Sequence, residues 1–223
     1  MTIGDAMKAR HSVRQYTSQP IEREKIDALN ACIAACNADS GLHIQLITNE
    51  PQAFSNFLAH YGSFKNVTNY IALIGKKGDG LDGKIGYYGE RVALNAQQLG
   101  LNTCWVALTY SKSKCAAVIE KDESLRCVLS LGYGVTQGVP HKNKKPPAAF
   151  YSADTDAPPA WFLAGMEAAL LAPTARHQQA FHFTLEGNTV KATASRLPLA
   201  EMDLGIVRHD FEAAAGKENF QWA

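Results

Sequence analysis

Arg10-His11-Ser12-Val13-Arg14-Gln15-Tyr16 lies between a short predicted helix over residues 4–10 and a longer one that opens near Pro20. In extended backbone Arg10, Ser12 and Arg14 project to one side, and His11, Val13 and Gln15 to the other. Two guanidiniums and a hydroxyl on one side suit a phosphate, because Arg offers paired donors and Ser a compact third. The same R-x-S-x-R pattern also arises as a solvated basic strip after a helix. Taken alone, the segment leaves both readings open.

The surroundings give this segment a scaffold. After Gln19-Pro20-Ile21, the residues Ile26, Leu29, Ile33 and Cys36 recur at helical spacing,. Residues 42–47 alternate partly and read as a strand, and a helix is expected near 51–60. Tyr70-Ile71-Ala72-Leu73-Ile74 is a compact apolar strand. A Gly-rich turn at 75–83 leads to a helix at 84–99, which Gly100 stops. Strands follow at 103–108 and 125–133. Residues 146–160, rich in Pro, Ala and Asp, read as a linker. Beyond it come a helix at 161–171, a hairpin around Glu186-Gly187-Asn188 and a helix at 203–215. The chain thus divides into a first half, 1–145, the linker, and a shorter second half, 161–223. The second half echoes the first weakly: Tyr88-Gly89-Glu90 resembles Leu204-Gly205-Ile206, each within a helix that ends near a Gly,. So short a second half needs the first to pack on, and a groove between them is the natural ligand site.

Bulk properties exclude several classes. The chain has 223 residues, 46% hydrophobic and 19% charged, with net charge +1. That is a globular profile with no strong field for nucleic acid or an anionic membrane, so any anion site must be local. The N-terminus has no apolar signal region, and no apolar run approaches the roughly 20 residues of a membrane span. The odd set Cys32, Cys36, Cys104, Cys115 and Cys127 reads as reduced thiols in a cytoplasmic protein,. Cys32 and Cys36 are read as small core residues.

Three further segments carry polar chemistry. Gly78-Asp79-Gly80-Leu81-Asp82-Gly83 matches G-x-G-x-x-G, but two aspartates stand where a pyrophosphate would sit, and a surface turn is preferred,. His141-Lys142-Asn143-Lys144-Lys145 is either a solvated loop or a source of a phosphate ligand. Pro173-Thr174-Ala175-Arg176-His177-Gln178-Gln179, between a helix and a strand, could hydrogen-bond a flat heterocycle or be an ordinary turn. There is no HExxH, G-x-S-x-G, Walker A or CxxC motif, so hydrolysis and phosphotransfer have little support,.

Taken in order, four segments resemble the nitroreductase family, most closely a branch in which one chain carries two halves that mimic a dimer. They are Arg10 to Tyr16; Asn69 to Gly75 with Gly86-Tyr87-Tyr88-Gly89-Glu90; Leu99-Gly100-Leu101-Asn102-Thr103-Cys104-Trp105; and Ala172 to Gln179. The resemblance implies an α+β fold with a central, mostly antiparallel sheet flanked by helices and two fused halves. It also implies FMN between the halves. Arg10, His11, Ser12 and Arg14 would hold its phosphate, helped by Lys144 or Lys145. The strand end Trp105, Ala107 and Leu108 would lie along the ring, and Pro173, Thr174, Ala175 and His177 would meet it from the second half. His177 stands where the family has Asn, Leu108 where it has Gly, and Asp210 where it has His.

The implied activity is hydride transfer from NADH or NADPH to FMN, then reduction of a nitroaromatic or quinone-like acceptor. No catalytic side chain and no metal are required. The alternative is a flavin-binding or flavin-less relative without turnover. The chain would act as a monomeric pseudo-dimer or as a homodimer, with a small-molecule acceptor as partner.

Overall fold

The computed structural model describes residues 1–143 and 145–223, and only the backbone of Leu58 and His60. Helix α1 (Ile3–Ala9) starts on a reciprocal cap. Thr2 Oγ1 accepts from Asp5 N–H at 3.1 Å, and Asp5 Oδ2 accepts from Thr2 N–H at 3.2 Å,. At Arg10 the backbone becomes extended and runs beside strand β3 (Asn102–Val106). Ser12 bridges Thr103, and Val13 N–H donates to Thr103 O at 3.0 Å. Tyr16 pins the far end: it is buried, and its hydroxyl donates to Val13 O at 2.7 Å.

Strands β1 (Gln45–Ile47), β2 (Asn69–Lys76), β3 and β4 (Glu123–Gly132) form a sheet in the order β1-β2-β4-β3, antiparallel throughout. β2 is central and buried on both faces. Ile71 and Leu73 pack towards α2 (Arg23–Ser40) and α4 (Leu81–Gln98), through Leu29, Ile33, Ile85 and Val92. Tyr70, Ala72 and Ile74 point the other way, onto Phe54, Phe64 and Tyr110,. The helix expected near 51–60 is broken into a 3-10 turn (Gln52–Phe54) and the short α3 (Phe57–Tyr61). The cause is local: Asn56 Oδ1 accepts from Ala59 N–H at 2.9 Å, so a side chain restarts the helix rather than continuing it,.

The stretch 146–160, expected as a linker, is largely structured. Pro147–Phe150 makes a 3-10 turn and Tyr151–Ala153 forms β5, with Phe150 buried. β5 pairs in parallel with β6 (Phe181–Glu186), and β6 pairs antiparallel with β7 (Thr189–Ala194). β8 (Gln221–Trp222) closes a second sheet, ordered β5-β6-β7-β8. The α+β class holds, with two four-stranded sheets in place of one central sheet. Helices α5 (Ala160–Leu171) and α6 (Ala200–Ala215) cover the second sheet, where Phe162, Phe183 and Phe211 share one core. Among the described residues no helix is long and apolar enough to cross a membrane.

The halves meet where α4 crosses α6. A Cβ on Gly86 would lie 2.0 Å from Met202 O, and one on Gly205 would lie 2.1 Å from Gly83 O. Each glycine therefore faces the carbonyl one helical turn before the other glycine. Such reciprocity is what a twofold relation produces. It sets Gly86 opposite Gly205, whereas the sequence echo pairs Gly89 with Gly205; the match shifts by one helical turn.

Backbone rather than side chain stands in the way of a methyl at this crossing. Gly86→Ala or Gly205→Ala is expected to lower stability in urea by about 1–3 kcal/mol or more, the usual range for overpacking. Gly4→Ala, where nothing lies within 4 Å of the added carbon, is expected to be neutral or mildly stabilising,. Equal midpoints for all three variants would refute the tight crossing.

Candidate functional site

A cleft of about 670 Å3 opens between the halves. One wall is Arg10, His11, Ser12, Val13, Arg14 and Gln15. The facing wall is Pro173, Thr174, Arg176 and His177. Thr136, Gly138 and His141 close the end, and Ser63, Val135 and Val139 complete the rim. The size is in the range of cofactor clefts, about 300–1,000 Å3. Among the described residues no carboxylate lines it, while three arginines and three histidines do. Among the described residues neither Arg14 nor Arg176 makes an ion pair with a carboxylate. Burial holds His11 and His141 below the ordinary imidazole range, with Arg10 adding to the effect on both.

The expected alternation of side chains is modified at Arg10. This residue caps α1 and is only 3% exposed, with its Nε 3.2 Å from Glu90 Oε1 on α4. The contact is an ion contact rather than an aligned hydrogen bond, since Arg10 Nη1 and Glu90 Oε1 both lack hydrogen-bond partners. Glu90 Oε2 accepts from Trp105 Nε1–H at 2.9 Å. Asp210 on α6 is also buried and lies 3.1 Å from His209 Nδ1. Burial raises both carboxyls: Glu90 to about 7 against the pull of Arg10, and Asp210 against the pull of His209 and Arg10,.

The second wall is held from α6. Asp203, in the first turn of that helix, accepts from Ala175 N–H at 3.0 Å on each carboxylate oxygen and from Gln178 Nε2–H at 2.9 Å. Burial raises Asp203 to about 6, against these hydrogen bonds. His177 Nε2–H reaches Lys142 O at 3.1 Å, and its ring lies 4.0 Å from that of His141.

The structure thus gathers Arg10, His11, Ser12, Arg14, Pro173, Thr174 and His177 around one cleft, with Ala175 just behind it on Asp203. It does not bring the other expected residues there. The half-buried Trp105 turns its indole to Glu90. Strand β3 ends at Val106, so Ala107 and Leu108 lie beyond it, and Leu108 is 77% exposed. Lys145 lines a separate groove with Phe150 and Phe181, and Lys144 lies outside the described residues. Gly78 to Gly83 lines another cleft, where Arg126 donates to both Asp82 oxygens at 2.6 and 2.8 Å. Sequence reasoning missed Thr136 as a wall residue and named His141 and Arg176 only within larger polar segments. For Arg176 the signal was its place inside the polar loop 173–179.

Residues 2–215 match the sequence model of a family described as "Putative TM nitroreductase". The chain belongs to this nitroreductase family. No curated protein matches it significantly. Among solved structures, a "putative nitroreductase" from Thermotoga maritima is 20% identical with a TM-score of 0.68, over 98% of this chain and 85% of that one. A "putative nitroreductase" in complex with FMN, from Desulfovibrio desulfuricans, is 16% identical with a TM-score of 0.51, over 67% of this chain and 94% of its own. A "Putative NADH dehydrogenase/NAD(P)H nitroreductase" from Parabacteroides distasonis is 20% identical with a TM-score of 0.51, over 66% and 94%. The Thermotoga protein shares the fold over nearly the whole chain, and the other two share it over about two thirds.

The buried cluster has a pH signature with the opposite sign to the usual carboxylate. Glu90 has its folded pKa raised from 4.5 to about 7, so the native state holds its proton where the unfolded chain has released it. Stability from this group is full below pH 4.5 and declines as pH rises to about 7,. Urea unfolding at pH 5 and pH 8 should therefore show wild type losing stability relative to Glu90→Gln as pH increases. Parallel pH dependences would refute the assignment.

Proposed function

We propose that the protein is an FMN-dependent oxidoreductase of nitroreductase type, passing reducing equivalents from NADH or NADPH to a nitroaromatic or quinone-like acceptor. The observation that carries this reading is a cleft that, among the described residues, has no carboxylate in its lining, no carboxylate paired to Arg14 or Arg176, and no partner for the buried Arg10 Nη1. A buried donor without an acceptor is unfavourable, and a phosphate oxygen would satisfy it. Membership of the nitroreductase family and the FMN complex of the Desulfovibrio relative support the choice of ligand.

In this reading Arg14, Ser12 and Arg10 Nη1 hold the phosphate of FMN, with His11 as a further donor beside them. Pro173, Thr174, Ala175 and His177 form the wall contributed by the second half. Ala107 and Leu108 are assigned the ring side from the family resemblance. Ser63 lines the cleft, and a Cβ on the neighbouring Gly62 would lie 2.8 Å from Thr109 Oγ1, a proximity that supports this assignment. Bound there, FMN supplies the hydride and electron chemistry. The chain supplies positive charge and N–H donors, which favour an anionic cofactor, and a cleft that orients it. Both walls come from one chain, which supports a monomer as the functional unit. The exposed Leu108 and the inward-turned Trp105 favour one other reading, a flavin-binding relative without turnover.

The purified protein is expected to be yellow or to become so with FMN, and to bleach anaerobically with NADH or NADPH. Colour without bleaching would select the non-reducing relative. No change on FMN titration would sink both readings. Arg14→Ala is expected to weaken FMN at least tenfold, about 1.4 kcal/mol, while riboflavin, which has no phosphate, binds as before.

A further inference from the structure

The loop 173–179 holds three residues in a backbone conformation that non-glycine residues rarely adopt,. Arg176 has φ 53° and ψ 22°, His177 φ 51° and Gln179 φ 45°. Non-glycine residues are uncommon in this left-handed region, and three among four positions persist only when surrounding contacts impose them. The imposing contacts are visible. Asp203 takes Ala175 N–H and Gln178 Nε2–H; Thr174 Oγ1 accepts from Gln179 N–H at 3.1 Å; Asn143 Oδ1 accepts from Gln179 Nε2–H at 2.8 Å. The result puts Arg176 on the wall of the cleft that faces Arg14, with no carboxylate among the described residues paired to it.

Resting on the reading of the cleft as the FMN site, we propose that Arg176 is the second half's own ligand for the phosphate, and that Asp203 is the positioning residue that aims it. Arg10 is buried with its Nε against Glu90 and offers the cleft only its Nη1, so a phosphomonoester dianion held by the first wall alone would meet one exposed guanidinium, that of Arg14. Arg176 supplies the second from across the cleft and makes phosphate binding a bridge between the halves. Asp203 serves this arrangement as a carboxylate, because both its oxygens receive N–H donors; an amide at this position would turn an NH2 against one of them.

The test separates charge from backbone strain. Asn tolerates the left-handed region, so Arg176→Asn removes the guanidinium and keeps the loop. FMN affinity should fall at least tenfold with riboflavin affinity unchanged, and Arg176→Lys should recover part of the loss. Asp203→Asn should give a similar selective loss, and the double variant Arg176→Asn with Asp203→Asn should lose little more than either alone. FMN binding at wild-type strength in Arg176→Asn, or an equal loss of FMN and riboflavin, would overturn the proposal. If wild type ignores FMN altogether, the flavin reading fails separately. Inorganic phosphate then decides: a phosphate-dependent rise in Tm that Arg176→Asn abolishes supports the bridge, and a rise it leaves intact, or none in wild type, overturns it.

Discussion

The contact of α4 with α6 at Gly86 and Gly205 governs much else in this molecule. Only hydrogen atoms stand between one helix and the carbonyls of the other. At that separation the polar residues one turn further along, Glu90 on α4 and His209 and Asp210 on α6, are buried with no room for bulk water. The same crossing brings the start of α6, and with it Asp203 and the loop it holds, to the side of the cleft opposite Arg10 to Arg14. The small residues at the crossing thus determine both how the halves join and which charges end up inside.

Those inside charges are the least favourable part of the structure. Burying a carboxylate is expensive unless its partner is well placed, and an isolated ion contact at 3.2 Å does not fully offset desolvation,. Glu90 accordingly favours its protonated form, and Asp210 is pushed the same way. A cluster of this kind contributes little to stability on its own account. Its effect is geometric: it fixes the end of α1, so that the chain leaves in extended form along β3 with Ser12 and Arg14 exposed beside the second-half loop.

Much of this architecture is legible in the sequence. The strand at Tyr70 to Ile74, the hairpin around Gly187 and the helices behind Gly100 and before Gly216 follow from apolar spacing and turn residues, and the structure has them. Patterns with a strong local cause are the ones that survive. Residues 51–60 fail as one helix because Asn56 is a better cap than interior residue, a contest that composition does not decide. Residues 146–160 look like a linker because Pro and Ala dominate, yet Phe150 and Tyr151 find a sheet edge that only the tertiary fold provides. Glu90 reads as one more charge on an amphipathic helix; that it is fully buried depends on a partner 80 residues away in the chain, Arg10. Arg176 is hidden for another reason: no periodicity marks a left-handed arginine.

Why the buried end of the phosphate wall is an arginine follows from shape. The guanidinium is a planar fork with five donors, so one face of the group can engage a carboxylate while another donor stays unused. In Arg10, Nε lies against Glu90 and Nη1 has no partner, at a residue that also lines the cleft. A lysine there would present its charge and its three donors at one compact point, without the separated ends of the fork. The arginine allows one residue to belong to the core and to the cleft together.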